Sequence, residues 1–276
     1  MDYSDFDLLK VTVADGVAAA AISAPPMNVM TLDLFRQLAK FSAQVAEDDA
    51  VAVVVLRSAD PDFFIAHFDV EAILEFPVDA EPERDPELRG FHKMCETFAG
   101  MPKVTIAEVA GRIGGGGNEL AMSCDMRFGA IGRTVINQME VPLGILPGGT
   151  GTQRLPQLVG PGRAMEIILG GVDVDAETAE SWGLINRALP PDELSSYVNQ
   201  LASRIASYPR RAVELAKQSI RNAGTLSQDE GRIEEAFLFQ QTIREPEARE
   251  RMRRFLTLGG QTRDGERDLT EILDRL

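Results

Sequence analysis

Apolar and polar residues alternate along this chain in two different ways, and the change from one to the other divides it. Residues 8–13 and 17–22 are short apolar runs separated by Asp15-Gly16, a two-residue hairpin signal, so they predict paired strands. Leu34, Phe35, Leu38 and Phe41 then recur at helical spacing behind Thr31, a residue suited to capping a helix N-terminus. Residues 51–56 are continuously apolar, as in a strand buried on both faces.

A second round follows. Residues 71–74 predict a short helix. Residues 76–90 carry three prolines and seven charged residues and read as a loop. Residues 89–98 predict a helix and 104–109 a strand. A glycine run comes next, followed by a helix over 120–124 and a strand over 126–130. A third round predicts helices near 152–158, 163–169 and 176–182, the last two stopped by Gly170-Gly171 and Gly183. Residues 184–189 predict a short strand.

After Pro190-Pro191 the strand pattern stops. Residues 193–258 are helical in period and rich in Arg, Glu and Gln, with breaks at Tyr208-Pro209 and Asn222-Ala223-Gly224. The pattern therefore predicts an α/β core over residues 1–192 and a helical region over 193–276. The helical region carries Ile205, Val213, Leu215, Ile220, Phe237, Leu238 and Phe239, more apolar side chains than a monomer leaves exposed.

Composition narrows the function classes. The chain has 276 residues, is 44% apolar and has a net charge of −15, which argues against non-specific binding to nucleic acid or to an anionic membrane surface. Any anionic ligand needs a local basic patch or helix N-termini. Cys95 and Cys124 are the only cysteines; they read as buried small hydrophobes in a reducing compartment. No metal site is expected. Residues 1–7 are acidic without an apolar signal region, and no apolar run is long enough to span a membrane. A cytoplasmic location is expected.

The candidate chemistry lies in two glycine-rich segments, each with a glutamate. Glu119 closes the run Gly114-Gly115-Gly116-Gly117-Asn118, and Glu140 precedes Pro147-Gly148-Gly149-Thr150-Gly151. Paired carboxylates beside bare backbone N–H groups suit acid/base work on a substrate that develops negative charge. Other readings stand beside this one. The glycines equally serve close helix–strand packing. Glu119 equally serves as a partner of a helix dipole, and Glu140, between Met139 and Val141, as a buried structural acid. Neither glycine segment is a phosphate loop, since no Lys-Ser or Lys-Thr follows. Gly149-x-Gly151 has Arg154 where a dinucleotide fingerprint needs its third glycine.

The segment from Val109 through Gly111, the glycine run, Asn118, Glu119 and Leu120 to Asp125 closely resembles the signature of the enoyl-CoA hydratase/isomerase (crotonase) family. So does the segment from Gln138, Glu140 and Pro142 through Gly148, Gly149, Thr150 and Gly151 to Leu155, and Ala176 to Asn186 is similar to a downstream stretch of that family. The resemblance covers about residues 10–200, with the motifs in family order. It implies a crotonase-like spiral of ββα units followed by a helical trimerisation region. It also implies an acyl-CoA thioester substrate, with coenzyme A part of the substrate and no separate cofactor, and a homotrimer or dimer of trimers.

By the same resemblance, backbone N–H groups of Phe68 and Gly116 hold the thioester oxygen. Glu119 and Glu140 activate a water and protonate Cα, and Ala66, His67, Gly115 and Gly148 contact the substrate or its water. The resulting expectation is an enoyl-CoA hydratase-like lyase; the alternatives are another reaction of the family (isomerase, decarboxylase or thioester hydrolase) or a non-catalytic assembly subunit. The chain departs from the family pattern at His67-Phe68, where small residues are usual, and at Glu71, where many members carry Lys. His67 is expected to be a pocket wall or an exposed imidazole rather than a catalytic one. Phe68 is expected to reshape the acyl pocket.

Overall fold

The hairpin signal at Asp15-Gly16 folds as its residues require. In a computed structural model describing residues 1–276, β1 (Leu9–Ala14) and β2 (Val17–Ile22) pair antiparallel, with Ala14 opposite Val17. Asp15 and Gly16 take φ of 48° and 78°, the left-handed pair of a type I′ turn. Helix α1 (Leu32–Ala46) starts where Thr31 Oγ1 accepts the Leu34 N–H at 3.2 Å, and it buries Leu34, Leu38, Phe41 and Val45.

Three rounds of strand, strand and helix follow. The first is β3 (Val53–Ser58), β4 (Phe63–Ile65), α2 (Val70–Leu74) and α3 (Gly90–Gly100). The second is β5 (Val104–Val109), β6 (Arg112–Gly114) and α4 (Gly115–Met122). The third is β7 (Met126–Ala130), β8 (Val135–Asn137), a single 3₁₀ turn at Val141–Leu143, and α5 (Gly151–Val159). Then come α6 (Pro161–Gly170), β9 (Val174–Asp175), α7 (Ala176–Trp182), β10 (Arg187–Leu189) and α8 (Pro191–Ala206).

Each round gives one strand to each of two sheets. The larger sheet runs β1-β2-β3-β5-β7-β10 and is parallel from β2 onward; the smaller runs β4-β6-β8-β9 and is parallel except for β8-β9. This is the ββα spiral that the resemblance implies. The larger sheet is the core: Val53, Val54, Val55 and Leu56 of β3 are fully buried, and all six residues of β5 are buried.

The chain forms two compact units, residues 1–207 and 208–276. Helix α8 lies within the expected helical region, yet it packs on β2, β3, β5 and β7 and buries Leu194, Val198 and Ala202. Three apolar side chains at helical spacing make it part of the first unit. The second unit holds α9 (Arg210–Asn222), α10 (Gln228–Thr242), α11 (Pro246–Thr257), α12 (Arg263–Arg267) and α13 (Leu269–Asp274). Leu215 and Leu238 are buried there, while Ile220, Phe237 and Phe239 are exposed. No helix is long and apolar enough to cross a membrane.

Three local expectations change. The strands of the smaller sheet are only two or three residues long and show no period of their own. The helix expected over 120–124 begins at Gly115, so the glycine run is its first turn rather than a loop before it. Residues 184–186 are not strand, because Leu184 and Ile185 donate their N–H groups back to Ala179 O and close the end of α7.

Candidate active site

The three short strands β4, β6 and β8 each end at one part of the site. Beyond β4, Phe68 forms a parallel bridge with Met30: the Met30 N–H donates to His67 O at 2.8 Å and the Asp69 N–H donates to Met30 O at 3.1 Å. Amides alternate sides along an extended chain, so the Phe68 N–H points away from Met30. Beyond β6, Gly116 is the second residue of α4, where a backbone N–H has no intrahelical acceptor. The two residues are neighbours, since a Cβ added to Gly116 would lie 3.3 Å from Phe68 Cβ.

The glycines divide their labour. A Cβ on Gly117 would lie 2.6 Å from Ile65 O, so Gly117 lets α4 pack against β4. Gly115, at φ 46°, turns the chain into the helix, and a Cβ there would lie 2.9 Å from Glu140 Oε1. Close packing thus accounts for Gly117, while Gly116 of the same run borders a cavity described below.

Glu119 projects from α4 toward the start of α5. Its Oε1 accepts the N–H of Gly149 at 2.8 Å and that of Gly151 at 2.7 Å. Gly151 is the first residue of α5, so the carboxylate meets the positive end of a helix dipole, that of α5 and not of its own helix. The intervening Thr150 is held at φ 111°, a left-handed conformation costly for a non-glycine residue, in the turn that brings the two amides together. A side chain at Gly149 would overlap Glu119 Oε2.

Beyond β8, Glu140 stands at the head of the 3₁₀ turn. Its Oε2 accepts from Gln138 Nε2 at 3.2 Å, and Gln138 Oε1 accepts from Asn118 Nδ2 at 2.8 Å, which ties the carboxylate to α4.

Both carboxyls are buried. Burial pushes Glu119 up to about 7; the Glu140 charge adds to the rise, and the N–H groups of Gly151 and Gly149 oppose it. Burial likewise raises Glu140, opposed by hydrogen bonds from its own backbone N–H and Gln138 and by its electrostatic interaction with His67. Near neutral pH Glu119 can both take up and give back a proton.

A cavity of about 230 Å³ opens beside both carboxyls; its walls include Gly116, Gly148, Gly149, Phe68 and Phe91, with Ile73, Phe76, Ile145 and Leu146 toward the mouth. Five of the residues singled out in the sequence thus face one space: Phe68, Gly116, Glu119, Glu140 and Gly148. Ala66, His67 and Gly115 lie beside it, outside its lining. Ala66 O abuts Gly114, where a Cβ would approach to 2.6 Å. His67 is half-buried, and its Nδ1–H donates to Phe68 O at 2.8 Å.

Sequence reasoning missed Phe91, Gln138 and the two amides that hold Glu119. Phe91 carries no motif and lies far along the chain from both glycine segments. Gly149 and Gly151 stand in the second glycine segment, but nothing local to it points to Glu119. A larger groove of about 400 Å³ lies between α9 and α10, but it offers no convergent pair of acids.

The sequence model of the family described as Enoyl-CoA hydratase/isomerase matches residues 12–260. The chain is similar to the short-chain-enoyl-CoA hydratase of Clostridium acetobutylicum, 34% identical over 74% of this chain and 77% of that protein. It is similar to the crotonyl-CoA hydratase of Syntrophomonas wolfei, 36% identical over 69% of this chain and 72% of the other. Among solved structures it resembles the enoyl-CoA hydratase from Bacillus anthracis, with a TM-score of 0.82 and 28% identity over 91% of this chain and 96% of that one. Two sheets wound by ββα rounds, and a sequence that matches the family over nearly its whole length, lead to one conclusion: the chain has the crotonase fold and is an enzyme of the enoyl-CoA hydratase/isomerase family.

Proposed function

We propose that this enzyme adds water reversibly across the 2,3 double bond of an acyl-CoA thioester. The observation that carries the reading is the pair of buried carboxyls, Glu119 and Glu140, on one cavity with Gly116 and Phe68. In this reading the N–H groups of Phe68 and Gly116 donate hydrogen bonds to the thioester oxygen as enolate charge develops on it. Such donors act best about 2.7–3.1 Å from the oxyanion. The glutamate pair takes a proton from water, whose hydroxyl adds to Cβ, and delivers a proton to Cα. The step is redox-neutral and needs no separate cofactor, coenzyme A being part of the substrate.

The raised Glu119 carboxyl supports this chemistry, because a group that titrates near the working pH both accepts and donates. Phe68 borders the cavity without filling it, so the side chain that departs from the family pattern leaves room for an acyl group. The names of the two hydratases described above favour hydration over the family's other reactions. The test is direct: loss of crotonyl-CoA absorbance on addition of enzyme, with 3-hydroxybutyryl-CoA as product. Isomerisation, decarboxylation or free CoA without hydration would replace this reading.

We also propose that copies of the chain assemble, as a trimer or a pair of trimers, through the second unit. Ile220, Ile233, Phe237 and Phe239 are 75, 72, 55 and 62% exposed there, more apolar surface than a monomer normally shows to water. Light scattering at micromolar concentration should give a multiple of three chains; a stable monomer would count against it.

A further inference from the structure

We propose that Phe91 sets the acyl length of the substrate by closing the site just beyond Cβ, so that the enzyme selects short acyl groups. The inference rests on the hydratase reading for the placement of the thioester. It names a specificity-determining residue that lies in neither glycine segment.

Phe91 is the second residue of α3, directly after Gly90, whose φ of 52° turns the chain out of residues 75–89, a stretch without helix or strand. Met94, Cys95 and Phe98 of the same helix are buried, so the ring stands on a fixed element. Its position is defined by two glycines. A Cβ on Gly116 would lie 3.5 Å from Cε2 and Cζ of the ring, and a Cβ on Gly149 would lie 2.6 Å from Cε1 and 2.7 Å from Cδ1. One ring therefore lies beside both the glycine proposed to hold the thioester oxygen and the glycine whose amide holds Glu119.

The ring is also braced. Phe35 of α1 stacks on it, with centroids 6.0 Å apart and planes at 20°, and Phe68 meets it edge-on at 6.1 Å and 75°. Such aromatic pairs add attraction beyond the area they bury. A ring held by two others and flanked by backbone has little freedom to swing aside.

A thioester with its oxygen at Phe68 and Gly116, and with Cα and Cβ beside Glu119 and Glu140, puts its next carbons against this ring. In this reading a longer chain turns outward across the lining residues Phe76, Ile145 and Leu146, which are 49, 42 and 64% exposed. That route leaves apolar carbons against solvent and forfeits the burial that favours each added methylene.

The experiment compares crotonyl-, hexenoyl-, octenoyl- and decenoyl-CoA as substrates of the full chain and of Phe91→Ala. For the parent, kcat/KM should fall from crotonyl to octenoyl. In Phe91→Ala the octenoyl-to-crotonyl ratio should rise about tenfold or more, the scale of a methylene's worth of pocket. A parent that hydrates octenoyl and decenoyl as well as crotonyl, or a folded variant with an unchanged ratio, overturns the proposal. If Phe91→Ala fails to fold by circular dichroism, Phe91→Leu carries the same comparison with a smaller expected rise. Calorimetric binding of butyryl- and octanoyl-CoA to parent and variant separates the two readings. A rise in the octanoyl-to-butyryl affinity ratio without any hydration would remove the hydratase reading and keep this one. Hydration with both ratios unmoved would do the reverse.

Discussion

The two sheets of this enzyme are built from the same rounds of chain, yet they do opposite work. Strands β3 and β5 of the larger sheet are six residues each and are almost wholly buried. Strands β4, β6 and β8 of the smaller sheet are three residues each, and each runs straight into a piece of the site: Phe68, the glycine run with Glu119, and Gln138 with Glu140. Long apolar strands supply stability. Short strands hold groups that are costly to bury, raised carboxyls among them, in fixed positions against that core. The contrast suggests a division in which the core half of each ββα round carries stability and the other half carries the proposed chemistry, so changes in one half should leave the other half's property largely alone.

The largest expected effect tests the short-strand side. Glu119→Gln and Glu140→Gln should each lower kcat on crotonyl-CoA by about 10²–10⁴-fold, the worth of a positioned acid or base. Neither should lower the melting temperature, because each removes a buried ionisable group. Parental turnover by the Glu140 variant would break the comparison at its functional end.

The next effect tests the other sheet. Leu56 of β3 is fully buried. Leu56→Ala should cost about 2–5 kcal/mol in denaturant unfolding at fixed protein concentration, with kcat per folded molecule retained. A loss of kcat matching that of the glutamate variants would show that the two halves are not separable.

The smallest effect sharpens the cost of holding the site. Glu119 titrates near 7 in the folded chain against an ordinary value of 4.5. Because the folded value is the higher one, the folded state holds the proton more tightly. Its contribution to stability is present in full below pH 4.5 and is lost as pH rises through 7. Glu119→Gln lacks this dependence. Its stability relative to the parent should therefore increase from pH 5 to pH 8; a difference that stays flat with pH would mean that burial does not raise this carboxyl.

Much of the larger sheet was legible in the residues. The apolar run at 51–56, the strand pattern at 104–109, the Asp15-Gly16 turn and the Thr31 cap each act through near neighbours, and each folds as read. The terminating glycines Gly171 and Gly183 take left-handed conformations at the ends of α6 and α7, again a local matter. The site was legible in part. The glycine run and both glutamates stood out, but the run was read as preceding a helix whose first turn it forms. The three-residue strands were invisible, because so few residues show no period and their pairing depends on partners elsewhere in the chain.

The sequence by itself determined the elements whose stability is local and the family, through motifs kept in order; the tertiary structure assigned α8 to the first unit. The tertiary structure alone decided which glycine packs and which faces the cavity. It decided that Glu119 is held by the amides of Gly149 and Gly151, thirty residues on, rather than by its own helix. It also brought Phe91 between Gly116 and Gly149. These are contacts between parts of the chain remote in sequence. Burial, hydrogen-bond geometry and the resulting proton affinities exist only once those parts meet, and no local pattern encodes a distance across the fold.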